Sequence, residues 1–108
     1  MAVCREIGDR DGEGAFLNNI SQIYQAWGKY EDAFSYLKTS LKIRQEMGDR
    51  NGEATTCHNI AAVFLHLGRI KEAIEMAEIA VDIYQALQSP NLELSLELLA
   101  RLRAKLQG

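Results

Sequence analysis

Proline is almost missing from this chain, and so is every feature that would tie it to a membrane, a metal or a disulfide scaffold. A single proline in 108 residues leaves helices able to run almost anywhere. Only two cysteines occur, Cys4 and Cys57, with neither metal-ligand nor redox spacing. They are expected to be free thiols in a reducing compartment, which makes the cytoplasm the expected location. No apolar run reaches the ~20 residues of a membrane-spanning helix, and Met1 to Asp9 hold no long apolar stretch of the secretory-signal kind. Basic charge is not in excess either: 12 Lys and Arg stand against 15 Asp and Glu, a net charge of −3. Nucleic-acid binders carry a basic patch or stripe, so neither nucleic acid nor membrane is expected as a partner. There is no Gly-x-Ser-x-Gly, no phosphate-cradling glycine loop and no His-Glu-x-x-His. The chain is therefore read as a non-enzyme, with no catalytic residue and no cofactor.

What the sequence does contain is a copy of itself. In a register of 40 residues, Glu6-Ile7-Gly8-Asp9-Arg10-Asp11-Gly12-Glu13 falls on Glu46-Met47-Gly48-Asp49-Arg50-Asn51-Gly52-Glu53. Asn19-Ile20 falls on Asn59-Ile60, Gly28 on Gly68, Ala33 on Ala73 and Ile43 on Ile83. Residues 6–47 against 46–87 give 12 identities in 42 pairs, and many of the rest are conservative, such as Ile23/Val63 and Tyr24/Phe64.

Each copy reads as two helices. Apolar residues step by 3 and 4 through Phe16, Leu17, Ile20, Ile23, Tyr24 and Trp27, the helical period. Gly28 and Gly68 stand where a left-handed C-cap is wanted. Gly48-Asp49-Arg50-Asn51-Gly52 supplies a capping glycine followed by Asp or Asn for the next N-cap. Ser89-Pro90-Asn91 breaks the chain before a last amphipathic stretch whose Arg101, Arg103 and Lys105 suit a helix C-terminus. Five helices are predicted, at about 12–27, 30–47, 52–67, 70–87 and 91–106, in antiparallel neighbouring pairs with no strand. The 108 residues form one domain: 1–11 the end of a preceding helix plus connector, 12–51 a first repeat, 52–90 a second, and 91–108 a capping helix.

Leu17, Ile20-Ser21, Tyr24, Gly28, Tyr30, Ala33 and Ser40, with Cys57, Ile60-Ala61, Phe64, Gly68, Ile70, Ala73 and Ala80, resemble the tetratricopeptide repeat pattern. The 40-residue period is longer than that family's usual 34, no proline closes the repeats, and a serine stands at a small-residue place. The long period and the Gly-Asp-Arg-x-Gly-Glu connector are similar to the extended subfamily of kinesin light chains and Leu-Gly-Asn-repeat polarity adaptors. The resemblance implies an all-α, right-handed α-solenoid of antiparallel helix pairs closed by the C-terminal helix. It also implies a protein-interaction scaffold that holds an extended peptide or a helix in a concave groove lined by the first helix of each pair. The alternative is a structural or dimerisation segment of a longer repeat protein with no groove ligand of its own.

On the first helix of each copy, Phe16, Ile20, Ile23 and Trp27 are assigned to the core. The stripe beside them carries Asn18, Asn19, Gln22 and Gln25, and in the second copy His58, Asn59, Ala62 and His66. These eight are the expected peptide-binding residues, and the resemblance gives Asn19 and Asn59 the part of clamping the ligand backbone. A primary amide offers two donors and an acceptor, so it pairs with a peptide N–H and C=O whatever the ligand's side chain. With helices about 10 Å apart, one such asparagine per repeat meets an extended chain about every three residues. His58 and His66 with Cys57 do not form a metal site, because eight residues of helix separate the imidazoles by about 12 Å of rise. Asp9-x-Asp11-Gly12 lacks the flanking acids of a calcium loop, since Ile7 and Asn18 hold those places. Tyr24, Trp27, Tyr30, Phe34 and Tyr36 are read as core, and Glu72, Glu75 and Glu78 as a solvated outer face.

Met1 to Ile7 align with Leu41 to Met47, so they read as the last part of an earlier second helix. Seven residues span only about 10 Å, enough to shield Phe16 and Ile20. Ile23, Trp27 and part of Tyr30 are then expected to face water; either the chain is cut from a longer array or, as favoured, they are the contact of a two-fold homodimer through the N-terminal end.

Overall fold

The computed structural model describes residues 10–107, and Met1 to Ile7, expected as the end of an earlier helix, lie outside them. Five helices make up the described chain: α1 Arg10–Ala26, α2 Tyr30–Met47, α3 Arg50–His66, α4 Ile70–Leu87 and α5 Leu92–Gln107. Each packs on the next, α3 also touches α5, and no strand occurs among the described residues. The result is an all-α helical solenoid, 48 × 33 × 18 Å in extent.

All four turns between helices are closed by the same pair of backbone hydrogen bonds. After α1, Lys29 N donates to Tyr24 O at 2.8 Å and Gly28 N to Gln25 O at 3.0 Å. Asp49 and Gly48, Arg69 and Gly68, and Ser89 and Gln88 repeat the pattern on the carbonyls of Arg44 and Gln45, Phe64 and Leu65, and Tyr84 and Gln85. This is the Schellman closure, which needs one residue in the left-handed region. That residue recurs every 20 positions: Gly28 at φ 77°, Gly48 at 71°, Gly68 at 78° and Gln88 at 54°. The 40-residue period is thus two equal units of helix plus turn.

The Gly-Asp-Arg-x-Gly-Glu connector follows from the same geometry. The Asp49 carboxylate accepts from Gly52 N at 3.0 Å, so α3 starts at Arg50, two residues earlier than expected. Asp49 also binds Arg44 Nη1 at 2.6 Å, and the buried Arg44 side chain passes against glycines on two helices. A Cβ on Gly14 of α1 would stand 2.9 Å from Arg44 Nε, and one on Gly52 of α3 would run into Asp49 Oδ2 and into Arg44 Cδ at 2.6 Å. Buried Glu53 accepts from Arg50 at 2.9 Å. One repeat later Tyr84 stands at Arg44's register, its hydroxyl 2.6 Å from Thr55 Oγ1.

The core is small-residue-rich where helices cross. Ala33, Leu37, Ala61, Val63, Ala73 and Ala77 are fully buried in one continuous cluster that reaches Leu98, Leu99 and Leu102 of α5. Ser40, the departure from the repeat pattern, is also fully buried, and its hydroxyl donates to Gly14 O of α1 at 3.0 Å. A hydroxyl is tolerated there because the partner helix offers a backbone acceptor.

The core expectation for α1 needs correcting. Phe16, Ile23 and Trp27 are exposed and Ile20 is half-buried, while Leu17, Ser21, Asn18 and Glu13 are buried. Leu17 and Ser21 hold the registers of buried Cys57 and Ala61 on α3, so α1 buries the same face as α3 and the expected stripe is left open. The expected stripe instead holds the register that α3 uses against α2, with Ile60 and Val63 buried in the core. Ile23 and Trp27 face water, as the last expectation above has it, and Trp27 leaves the set of aromatic core residues.

Candidate functional site

Two neighbouring cavities mark the junction of α3 and α5. The larger, of about 320 Å³, is lined from α3 by His58, Ala62, Leu65 and His66, and from α5 by Leu94, Glu97, Leu98 and Arg101. The smaller, of about 150 Å³, is lined by Thr55, His58, Tyr84, Asn91, Leu94 and Ser95. His58 and Leu94 belong to both. Helical periodicity explains the set, since residues 58, 62 and 65 of α3, and 94, 98 and 101 of α5, are each spaced by 4 and 3. Ala62, a small residue among larger ones, leaves the space between the two helices.

The walls are held in place. His58 Nδ1 is 2.9 Å from Ser95 Oγ, a bond that ties α3 to α5 where the cavities meet. Burial pushes the His58 pKa down, so the ring is neutral at pH 7. His66, at the exposed end of α3, stacks on Tyr30 of α2 with ring centroids 4.7 Å apart and planes 7° from parallel. Charge lies mainly elsewhere: Glu31 and Asp32 on α2, and Glu72, Glu75, Glu78 and Asp82 on α4 are all exposed, as the solvated outer face requires. Arg103 reaches across to Glu78 at 3.1 Å.

Seven of the eight expected groove residues, all but Asn18, remain accessible to some degree, with His58 half-buried. Asn19, Gln22 and His66 are exposed, and Gln25, Asn59 and Ala62 are half-buried. Gln22 and Gln25 hold on α1 the register that Ala62 and Leu65 hold on α3, so amides precede the apolar wall along the solenoid. Asn18 is a correction. It is buried, and its Nδ2 donates to Thr56 Oγ1 at 3.3 Å, while the Thr56 hydroxyl donates to Gly52 O at 2.9 Å. Asn18 thus joins α1 to α3 and is not open to a ligand. His58, at the same register one repeat on, makes the corresponding tie to α5 but still lines both cavities.

Sequence reasoning missed α5 as a wall, having read it only as a cap. Leu94, Leu98 and Arg101, spaced by 4 and 3 on one helical face, were the available signal. Among the described residues no three His, Cys, Asp or Glu side chains gather as a metal site. No described helix is long and apolar enough to cross a membrane.

A second surface lies on α1. Trp27 is 65% exposed and Ile23 50%, against 0% for Val63 at Ile23's register. Trp27 meets Tyr24 edge-on at 5.6 Å, Tyr24 stacks on Tyr36 at 5.2 Å, and Lys29 Nζ lies 5.9 Å from the Trp27 ring. Tyr30, expected beside Ile23 and Trp27, is half-buried with its ring committed to His66.

Comparison with known proteins agrees with this geometry. The family model described as tetratricopeptide repeat matches residues 14–86. No curated protein matches the chain in sequence. Among solved structures, the tetratricopeptide domain of Arabidopsis FLU superposes with a TM-score of 0.85 at 16% identity, over 91% of this chain and 83% of that one. BtubC (BKLC) from P. vanneervenii superposes with a TM-score of 0.82 at 24% identity, over 90% of this chain and 40% of that one. At these identities the likeness is one of fold.

Proposed function

The chain belongs to the tetratricopeptide repeat family, and from that premise we propose that it is a protein-interaction module holding an extended peptide across α1, α3 and α5. The observation that carries this reading is the pair of open cavities on one face of α3 and α5, in line by register with the accessible amides Gln22 and Gln25 of α1. An extended polypeptide has unpaired N–H and C=O groups along its length, and Asn19 and Asn59 each bring donors and an acceptor to meet them. The buried, free Cys57 thiol fits the reducing cytoplasm proposed as its compartment.

The test is capture of partners on the full chain with Asn19 and Asn59 intact or both changed to alanine, with Glu75→Ala on the outer face of α4 as control. Loss of partner affinity by about tenfold or more in the double variant, equivalent to about 1.4 kcal/mol, with unchanged helix content and an unaffected control, supports the groove. Equal capture by all three proteins rejects it.

The exposed Ile23 and Trp27 favour a second, compatible reading: this α1 face pairs with the same face of a second copy about a two-fold axis. Light scattering at tens of micromolar decides it. A mass of twice 12.1 kDa supports the pairing, and a monomer with blue-shifted Trp27 fluorescence contradicts it.

A further inference from the structure

We infer that the α3–α5 end of the groove reads two alternate side chains of its ligand: one large and uncharged, aliphatic or aromatic, and one small, two positions away. This rests on the groove reading above and deepens it from backbone capture to sequence selection.

The two cavities differ in size, about 320 and 150 Å³, and share a wall made by His58 and Leu94. In an extended chain, side chains i and i+2 point the same way and lie about 6.6 Å apart. Two recesses that share the His58 and Leu94 wall lie side by side on one face, as alternate side chains of an extended chain do. The larger recess takes Leu65, Leu94 and Leu98 as apolar walls and gains its depth at Ala62. Leu94 is 59% exposed, so an apolar ligand group entering beside it removes leucine surface from water as well as its own. The smaller recess has hydroxyls and an amide around it, from Thr55, Tyr84, Ser95 and Asn91. Thr55 and Tyr84 already bond each other at 2.6 Å, and Ser95 bonds His58 at 2.9 Å. With those groups engaged, the recess favours a small side chain such as alanine, serine or threonine over a large polar one.

Preorganisation supports selection. The Ser95 bond fixes the neutral His58 ring, and the Tyr30 stack fixes His66, so neither wall has to be ordered when the ligand arrives. Glu97 and Arg101, both exposed on the α5 side of the larger recess, bring one charge of each sign. They give no net preference for a charged side chain, and the residue that enters is uncharged.

The probe is a displayed library of random octapeptides, selected separately on the full-length protein, on Ala62→Phe, which fills the larger recess, and on Asn19→Ala with Asn59→Ala. The wild type is expected to enrich peptides with a large apolar residue at one position and a small residue two places from it. Peptides chosen by the wild type are expected to bind Ala62→Phe at least about tenfold more weakly, the scale of one buried aliphatic side chain. Selection repeated on Ala62→Phe should lose the large-residue requirement while still yielding binders. The double asparagine variant should weaken all peptides alike. Binders with no such pair enriched, or selected peptides indifferent to Ala62→Phe, overturn the two-recess inference and leave the groove standing. If no octapeptide binds the wild type at all, the groove reading falls and this inference falls with it. Ala62→Leu, with the same readout, guards against misfolding of the phenylalanine variant.

Discussion

Gln88 occupies the place that glycine fills in the three preceding turns, and replacing it should strengthen the protein. Its φ of 54° and ψ of 42° lie in the left-handed region, where a Cβ costs about 1–2 kcal/mol. Glycine relieves that cost but restores about 0.4–1 kcal/mol of conformational freedom to the unfolded chain. The difference for Gln88→Gly is a gain of about 0.5–1 kcal/mol, or roughly 2–8 °C in melting temperature for a chain of this size. The reverse change provides the control. Gly68 has φ 78° and open space where its Cβ would go, so Gly68→Ala tests the backbone term without a clash. It should destabilise by about the same amount. Urea unfolding followed by circular dichroism measures both, and opposite signs of similar size are expected. A Gln88→Gly protein that unfolds at lower urea, or a Gly68→Ala protein indistinguishable from wild type, refutes the claim that a left-handed residue closes every turn.

Gly52→Ala should destabilise by about 1–3 kcal/mol, because its Cβ meets both Asp49 and the buried Arg44; a neutral urea midpoint would show that Arg44 can move aside. Ser95→Ala should cost about 1–3 kcal/mol by removing the His58 partner at the α3–α5 junction, measured in the same way. Burial lowers the His58 pKa from 6.5, so the unfolded chain takes up a proton first as pH falls. The stability this ring contributes is complete above about pH 6.5 and is lost on going down to its lowered value, and His58→Gln should flatten that part of the pH–stability curve. The Cys57 thiol is pushed up to about 12, chiefly by burial; in a Cys4→Ser background it should resist a thiol reagent at pH 8 until the chain is unfolded, and rapid labelling of the native protein would contradict its place in the core.

The helices and their pairing were legible because the signals are local and repeated. Gly28, Gly48 and Gly68 stop three helices by a backbone requirement that almost no other residue meets, and the apolar steps of 3 and 4 follow from the helical period. The fourth turn was legible only through Ser89-Pro90-Asn91, since Gln88 carries no left-handed signature. The buried face of α1 was legible only in part. Leu17 and Ser21 stand in the repeat pattern and are buried, whereas Phe16 and Ile20, also apolar at helical spacing, are exposed and half-buried, which only packing decides. Asn18 shows the same limit: an amide on a helix reads as a polar surface until Thr56, 38 positions on, proves to be its partner. The larger recess needed Ala62 and Leu98 brought together from two helices, which no periodicity within either one reveals.

Amide chemical-shift mapping on isotopically labelled protein, titrated with a library-selected octapeptide, tests the groove most directly. Shifts concentrated on α3 and α5 around His58, Ala62, Leu65, Leu94 and Leu98, extending to Asn19 and Gln22 of α1 and sparing Glu72, Glu75 and Glu78 of α4, are the expected result. Shifts centred on those α4 glutamates, or on Ile23 and Trp27 with the α3–α5 recesses unmoved, would contradict it.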